Sequence, residues 1–258
     1  SWEMFHLSKA AERIEKHCKL LASKHDLVAI CENKYLMYKH FEGKIDVPQF
    51  YLVKTIAELI EAAKKLGYPE KDVVFKPPEG KGARGVRVLT EKSNRYDLLF
   101  NGRPFAKFIS MDELKSTLGE KEIPPLMIME YLDGVELKID PVLQNGEILT
   151  CSVKNRLNFA SGLAMGFEMI EDNVALDYAK KLLEHLPMDY CIDISTRGGV
   201  LMEINPRVST YIYGENYCAP YLSLKLAMEE MSANEVRNYQ KELPIGKKMF
   251  RYYGQIDY

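Results

Sequence analysis

The stretch YCIDISTRGGVLMEINPR, Tyr190 to Arg207, holds two runs rich in apolar residues around the four residues Thr196, Arg197, Gly198 and Gly199. Two such runs joined by a Gly-Gly pair predict a β-hairpin. Alternate residues of a strand share a face, so Glu203, Asn205 and Arg207 point the same way. Asp193 faces them from the neighbouring strand. Oxygen-bearing side chains converging on one face suit Mg²⁺, a hard cation that prefers carboxylate, carbonyl and water oxygens. Glu203 lies in the apolar run Val200 to Ile204, where a carboxylate without a partner is costly. A metal removes that cost. The other reading pairs Glu203 with Arg207 on a solvated sheet face. Against it, Asn205-Pro206 sets poor strand formers in a good strand.

A second stretch, VVFKPPEGKGARGVRVL from Val73 to Leu89, carries the complementary charge. An apolar run ending in Lys76 leads into Gly80, Lys81, Gly82, Ala83, Arg84 and Gly85, and a second apolar run follows at Val86. Glu79 is the only acid in this stretch. Backbone N–H groups freed by glycine can surround phosphate oxygens, and nearby Lys or Arg neutralises them. A loop of this kind between two strands would fold over a triphosphate like a flap. It is no Walker A motif, because no Gly-Lys-Ser/Thr opens a helix, and no Rossmann fingerprint, because a strand follows where a helix is needed. Read alone, it is equally a solvated hairpin loop.

Composition sets the outer limits. The chain has 258 residues, 47% hydrophobic and 28% charged, with a formal net charge of −2. That is enough to bury a core as one large domain or two subdomains. The near-zero charge offers no global field to draw the chain to nucleic acid or to a membrane. No apolar run approaches the roughly 18 residues of a membrane span, and no signal peptide opens the sequence. The five cysteines (Cys18, Cys31, Cys151, Cys191, Cys218) are scattered without a CxxC pair. That disfavours a zinc site or a disulfide framework and points to a reducing, cytoplasmic setting.

Periodicity predicts helices over Leu7–Leu21, Glu32–Phe41, Thr55–Leu66, Met111–Leu118, Asn173–Leu186 and Leu222–Met231, the last followed by a short polar tail. Thr55 and Ser110 read as N-caps, Ser110 with Glu113 as a capping box. Strands are expected at Val28–Ile30, Phe50–Val53, on both sides of the glycine loop and from Leu126 onward. The turn QNG, Gln144 to Gly146, reads as a hairpin. Pro124-Pro125 punctuates the chain and divides two lobes. Helices and strands alternate early and hairpins dominate later, which predicts mixed α+β lobes rather than one doubly wound sheet.

Taken together, these motifs resemble the ATP-grasp superfamily, and within it the branch of biotin carboxylase and the carbamoyl-phosphate synthase large subunit. FKPPEGKGARGV is similar to its lysine and glycine-rich flap, and MEYLDGVEL to its adenine hinge. MEINPR is similar to its metal strand, and NKYLMYKHF to its lysine helix. The likeness runs in order from about Asn33 to Met231. It implies two mixed α/β lobes with antiparallel sheets clasping a nucleotide, so that residues 76–85 and 193–207 close around one magnesium-loaded triphosphate. It implies a remnant of an N-terminal α/β domain over 1–32, a small lobe over 33–125 and a large lobe over 126–258. With so little chain ahead of Lys34, a fragment of a longer protein is expected.

The resemblance also assigns roles. Lys34 and Lys76 would contact phosphates, with Gly80 to Gly85 as the flap and Lys81 and Arg84 as further contacts. Glu130, Tyr131 and Leu132 would form the adenine hinge, and Glu136 would bind the ribose hydroxyls. Asp193, Glu203 and Asn205 would hold Mg²⁺, with Mn²⁺ as a substitute. Arg207 would steady the transferred phosphoryl group or acyl phosphate. Lys154 and Arg156 would touch the γ-phosphate or the substrate carboxylate, and Asp140 would support the sheet. The implied activity is ATP-dependent ligation of a small carboxylate to an amine through an acyl phosphate. An ATP-grasp kinase or a non-catalytic ATP-binding module is the alternative. No nucleic acid or membrane partner is implied, and a homo-oligomer stays open. The tyrosines Tyr211, Tyr213, Tyr217 and Tyr221 read either as acceptor-pocket lining or as packing.

Overall fold

Short apolar strands leave a polar edge and two faces to cover, and this chain covers them in two separate units. A computed structural model describes residues 2–80, 82–92, 107–119, 121–160, 163–210 and 212–250. One unit comprises residues 33–39 and 48–133, and the other comprises 1–32, 40–47 and 134–258.

The smaller unit is built on a mostly antiparallel sheet. Its strands are β1 (Phe50–Val53), β2 (Val73–Lys76), β3 (Arg87–Leu89), β4 (Phe108–Ile109) and β5 (Leu126–Glu130), in the order β1-β5-β2-β3-β4. Only the β3–β4 pair among them is parallel. Helix α5 (Ile56–Lys65) starts where the Thr55 side chain accepts from the Glu58 N–H. Helix α6 (Met111–Leu118) starts in the same way at Ser110 and Glu113. Each cap satisfies one of the N–H groups that the first turn leaves without a partner. The apolar stripe of α5 (Leu59, Ala62, Ala63) and Leu114 of α6 join Val73, Phe75 and Ile128 in one buried core. The register sets Lys76 opposite Met127 and Val74 opposite Met129. Lys76 therefore leaves the sheet from the face away from that core.

The larger unit carries β6 (Glu136–Gln144), β7 (Glu147–Ala160), β8 (Leu163–Ile170), β9 (Tyr190–Cys191), β10 (Asp193–Arg197), β11 (Val200–Asn205) and β12 (Lys248–Phe250). Their order is β11-β10-β6-β7-β8-β12, with β9 also paired to β6. Two tight turns set its registers. Asn145 and Gly146 have φ of 51° and 81°, and Gly198 and Gly199 have 57° and 81°. Positive φ at both central residues is the turn that matches strand twist, which is why Asn-Gly and Gly-Gly occupy these places. Helices α7 (Asn173–His185), α8 (Ala219–Ala227) and α9 (Ala233–Asn238) pack on this sheet. Strand β8 ends at Ile170, opposite Val153, so Cys151 lies past the end of its pairing. The Gln240 side chain takes that place: its Oε1 accepts from Cys151 N at 2.8 Å and its Nε2 donates to Cys151 O at 3.2 Å.

The α+β class and the hairpins at 144–146 and 196–199 agree with expectation. Four local readings change. The strand expected at Val28–Ile30 is helical, within α3 (His25–Glu32), and its buried residues Val28 and Cys31 have helical i, i+3 spacing. The helix expected over Leu7–Leu21 breaks into α1 (Trp2–Lys9) and α2 (Ala11–Ile14) at Ala10, with φ −98° and ψ 12°. There Ser8 Oγ donates to Phe5 O and meets His25 Nδ1 at 3.0 Å, which ties the end of α1 to α3. The helix expected over Leu222–Met231 runs instead from Ala219 to Ala227, with Pro220 in its first turn, where proline costs no hydrogen bond. The tail is also more than polar chain, because α9 opens on a full Ser232/Glu235 capping box. The cysteines Cys18, Cys31, Cys151, Cys191 and Cys218 are all free thiols. Among the described residues no helix is long and apolar enough to cross a membrane.

A Cβ at Gly146 would lie 2.8 Å from Pro187 Cα, on a φ of 81°. Gly146→Ala should therefore cost about 1–3 kcal/mol of stability through crowding and backbone strain. Urea denaturation would show this as a lower midpoint.

Candidate active site

In the smaller unit, helix α4 (Lys34–Phe41) begins against the glycine loop. Asn33 caps it, its Oδ1 accepting from the N–H groups of Tyr35 and Leu36, both at 3.1 Å. The same Asn33 donates to Glu79 at 3.0 Å, and Lys34 N–H donates to Pro78 O at 2.8 Å. Lys34 Nζ donates to Gly80 O at 3.0 Å. Three contacts thus fix the loop base to the first turn of α4, with Lys34 bonded to the loop's first glycine. Gly80, Gly82, Ala83, Arg84 and Gly85 are exposed; Lys81 lies outside the described residues. Ala83 has φ 57°, and Gly85 has φ 75° with Pro77 2.8 Å from where its Cβ would be. Only glycine fits at position 85.

Lys76 is largely buried, with its ammonium 5.6 Å from the centre of the Tyr38 ring. Tyr38 in turn packs on Phe50 and bonds Met129 Sδ at 3.9 Å. At the end of β5, Glu130 and Gln49 exchange two bonds: Gln49 N donates to Glu130 Oε1 at 2.9 Å, and Glu130 N donates to Gln49 O at 3.1 Å. Tyr131 and Leu132 follow as half-buried, irregular chain.

The larger unit brings the acidic set together. The register opposes Asp193 to Asn205, Ser195 to Glu203 and to Lys138, and Lys138 to Lys154. Cross-strand partners share a face, so one side of the four strands β7-β6-β10-β11 carries nearly all the polar groups. The strand holding Glu136, Lys138 and Asp140 buries all three charges. It tolerates burial because every charge on it meets an opposite one. Glu136 is bound by Arg156 through one oxygen and by Arg197 through the other, the latter at 2.7 Å. Asp140 pairs with Lys154 at 2.8 Å, and Lys154, fully buried, also donates to Thr210 O.

Asp193 is the hub. Lys138 Nζ lies 3.0 and 3.3 Å from its two oxygens, Arg207 Nη1 at 3.2 Å and Asn205 Nδ2 at 3.5 Å. Burial pushes the Asp193 carboxyl up, but Lys138 and Arg207 outweigh it and hold it below the ordinary value of 3.8. Burial likewise opposes the charge on Lys138, yet Asp193 and Glu203 raise its ammonium above the usual lysine range. Glu203 is more open: its side chain is 37% exposed against 4% for Asp193. Asn205 Nδ2 donates to it at 3.2 Å. Among the described residues no three His, Cys, Asp or Glu side chains form a cation cage. The donor set fits a magnesium ion that takes one or two protein ligands and completes its shell with water and phosphate.

The sequence missed Lys138, Ser195 and Arg197 as members of this network. Their signal was the two-residue alternation along β6 and β10, but only the register shows whom they meet. Tyr217 is core, Tyr213 and Tyr221 are exposed, and Tyr211 lies outside the described residues. A cavity of about 490 Å³ in the same unit, lined among others by Cys151, Leu176, Arg237 and Gln240, contains none of these site residues.

Residues 122–247 match the family model described as ATP-grasp in the biosynthetic pathway with Ter operon. The chain is 23% identical over 218 residues to the carbamoyl phosphate synthase large chain of Thermomicrobium roseum, covering 79% of this chain and 18% of that protein. Its fold is similar to carboxyaminoimidazole ribonucleotide synthase of Aspergillus clavatus, solved with ATP, at a TM-score of 0.64 and 15% identity over 89% of this chain and 59% of that one. The chain has the ATP-grasp fold, and its residues 122–247 are similar to an ATP-grasp family. The fold is also similar to that of an L-amino acid ligase from Bacillus licheniformis, with a TM-score of 0.57, 18% identity and coverage of 88% and 55%. The chain spans under a fifth of the length of the synthase large chain it matches.

Two measurements probe the charge network. Lys154→Met leaves Asp140 buried without its cation and should cost about 3–5 kcal/mol, whereas Lys154→Met with Asp140→Leu should recover much of the loss. Urea unfolding of both variants separates these outcomes. Asp193 is depressed in the folded state, so its contribution is complete above 3.8 and is lost as pH falls through its lower folded value. Asp193→Asn should therefore flatten the acid limb of a stability–pH curve below that point.

Proposed function

We propose that this ATP-grasp protein is an ATP- and Mg²⁺-dependent ligase that activates a small carboxylate as an acyl phosphate for attack by an amine. The observation that carries the reading is the cluster of Asp193, Glu203, Asn205 and Arg207 on one charge-paired, partly buried sheet face, in a chain that also carries the Lys34–Lys76–glycine-loop set. The fold it shares with an amino acid ligase supports the same reading.

In this reading the triphosphate meets Lys34, Lys76 and the freed amides of Gly80 to Gly85, with Lys81 and Arg84 as further cations. These groups offset charge that spreads over the phosphoryl oxygens during transfer. Glu130 and the backbone of Tyr131 and Leu132 hold the adenine. Glu136 accepts from the ribose hydroxyls, since a carboxylate offers about four lone-pair sites and its two arginines use only part of them. Glu203 and Asn205, beside Asp193, hold the magnesium, which would neutralise the phosphates. Arg207 steadies the carboxylate and then the acyl phosphate, at the rim of the network where it already bonds Asp193. Arg156 stands near enough to Glu136 to follow the ribose end. Lys154, fully buried on Asp140, acts by fixing the sheet. The protein does little covalent work; position and field do most of it.

Incubation with ATP, Mg²⁺ and mixed amino acids should release ADP and free phosphate only when a carboxylate and an amine are both present. A stable phosphorylated product would replace ligase by kinase, and no turnover would leave an ATP-binding module. Glu203→Ala should lower Mg²⁺-dependent turnover by about 100-fold or more with the fold retained. Lys76→Ala should weaken ATP binding by about tenfold, and equal affinity in that variant would count against the loop assignment.

A further inference from the structure

Lys138 has no part in the roles above. Its ammonium is surrounded by oxygen: both carboxylate oxygens of Asp193, Ser195 Oγ, and Glu203 Oε1 at 3.8 Å. Two carboxylates and a hydroxyl around one positive charge is the shell a metal ion would seek. Any divalent ion shared by Asp193 and Glu203 would have to stand against that ammonium, and like charges at such a distance repel. The space is also fixed from behind, because Lys138 projects from the middle of β6, paired on both sides to β7 and β10.

We propose that Lys138 is a built-in cation that neutralises Asp193 and limits the acidic face to one divalent ion, held by Glu203 and Asn205 with the nucleotide's phosphates. Asp193 then lies outside the metal's coordination shell and acts as a positioning residue for Lys138, Asn205 and Arg207. The openness of Glu203 beside the enclosed Asp193 agrees with this division of labour. The inference rests on the Mg²⁺–ATP reading given above.

The test counts Mn²⁺ ions by electron paramagnetic resonance on protein saturated with a non-hydrolysable ATP analogue. The wild-type chain should bind one ion, and Lys138→Met should bind two. Lys138→Gln, which keeps a donor toward Asp193 but no charge, should also bind two and serves if the methionine variant does not fold. Asp193→Asn should keep one ion with a loss of affinity of about 10- to 100-fold, the scale of an outer-shell partner, while Glu203→Gln, the loss of a direct ligand, should cost more. Two ions in the wild type, one ion in both folded Lys138 variants, or a larger loss for Asp193→Asn than for Glu203→Gln would each overturn the proposal. Analogue binding is measured separately in EDTA by a fluorescent nucleotide. Failure there would sink the ATP reading and this inference with it, whereas normal nucleotide binding with two wild-type ions sinks this inference alone.

Discussion

The pairing of Lys138 with Asp193 is the interaction on which the larger unit's architecture depends. A buried carboxylate and a buried ammonium are each costly alone, and geometry has to be good for their attraction to offset the loss of water. Here the register of three strands provides that geometry. Ser195 and Arg207 take up remaining valences of the same pair, and neighbouring pairs, Asp140 with Lys154 and Glu136 with two arginines, repeat the arrangement along β6. Such a face gives up some stability in exchange for fixed positions. Fixed positions are what a site for a polyanion and its metal requires.

The opposite economy holds in the smaller unit. Its sheet is anchored by ordinary apolar packing under α5 and α6, and among its described charged residues only Lys76 is buried. Lys76 lies against an aromatic ring, and Asn33 and Lys34 hold the base of the loop. The rest of the loop is exposed and rich in left-handed backbone. The larger unit thus gains order from paired charges, and the smaller one from apolar packing.

Much of this was legible in the residues themselves. Turn chemistry placed the hairpins at Asn145-Gly146 and Gly198-Gly199, because few residues accept those dihedrals. Alternation put Glu203, Asn205 and Arg207 on one face, and caps at Thr55 and Ser110 marked two helices. What stayed hidden depends on distance along the chain. Val28 to Ile30 reads as a strand until the packing of α3 on β11 is known. Lys138 reads as a solvated charge until strand register sets it opposite Ser195, 57 residues away. Glu235 in the capping box was visible but sat in a stretch whose polarity suggested plain tail.

The side-chain amide of Gln240 has a consequence for how the sheet ends. By supplying both a donor and an acceptor to Cys151, it behaves as a one-residue strand, closing an edge that β8 leaves open. An uncovered edge invites pairing with another chain. The turn that carries Gln240 is thereby a guard against edge-to-edge aggregation, and shortening the polypeptide ahead of residue 240 would expose a sticky margin as well as remove packing.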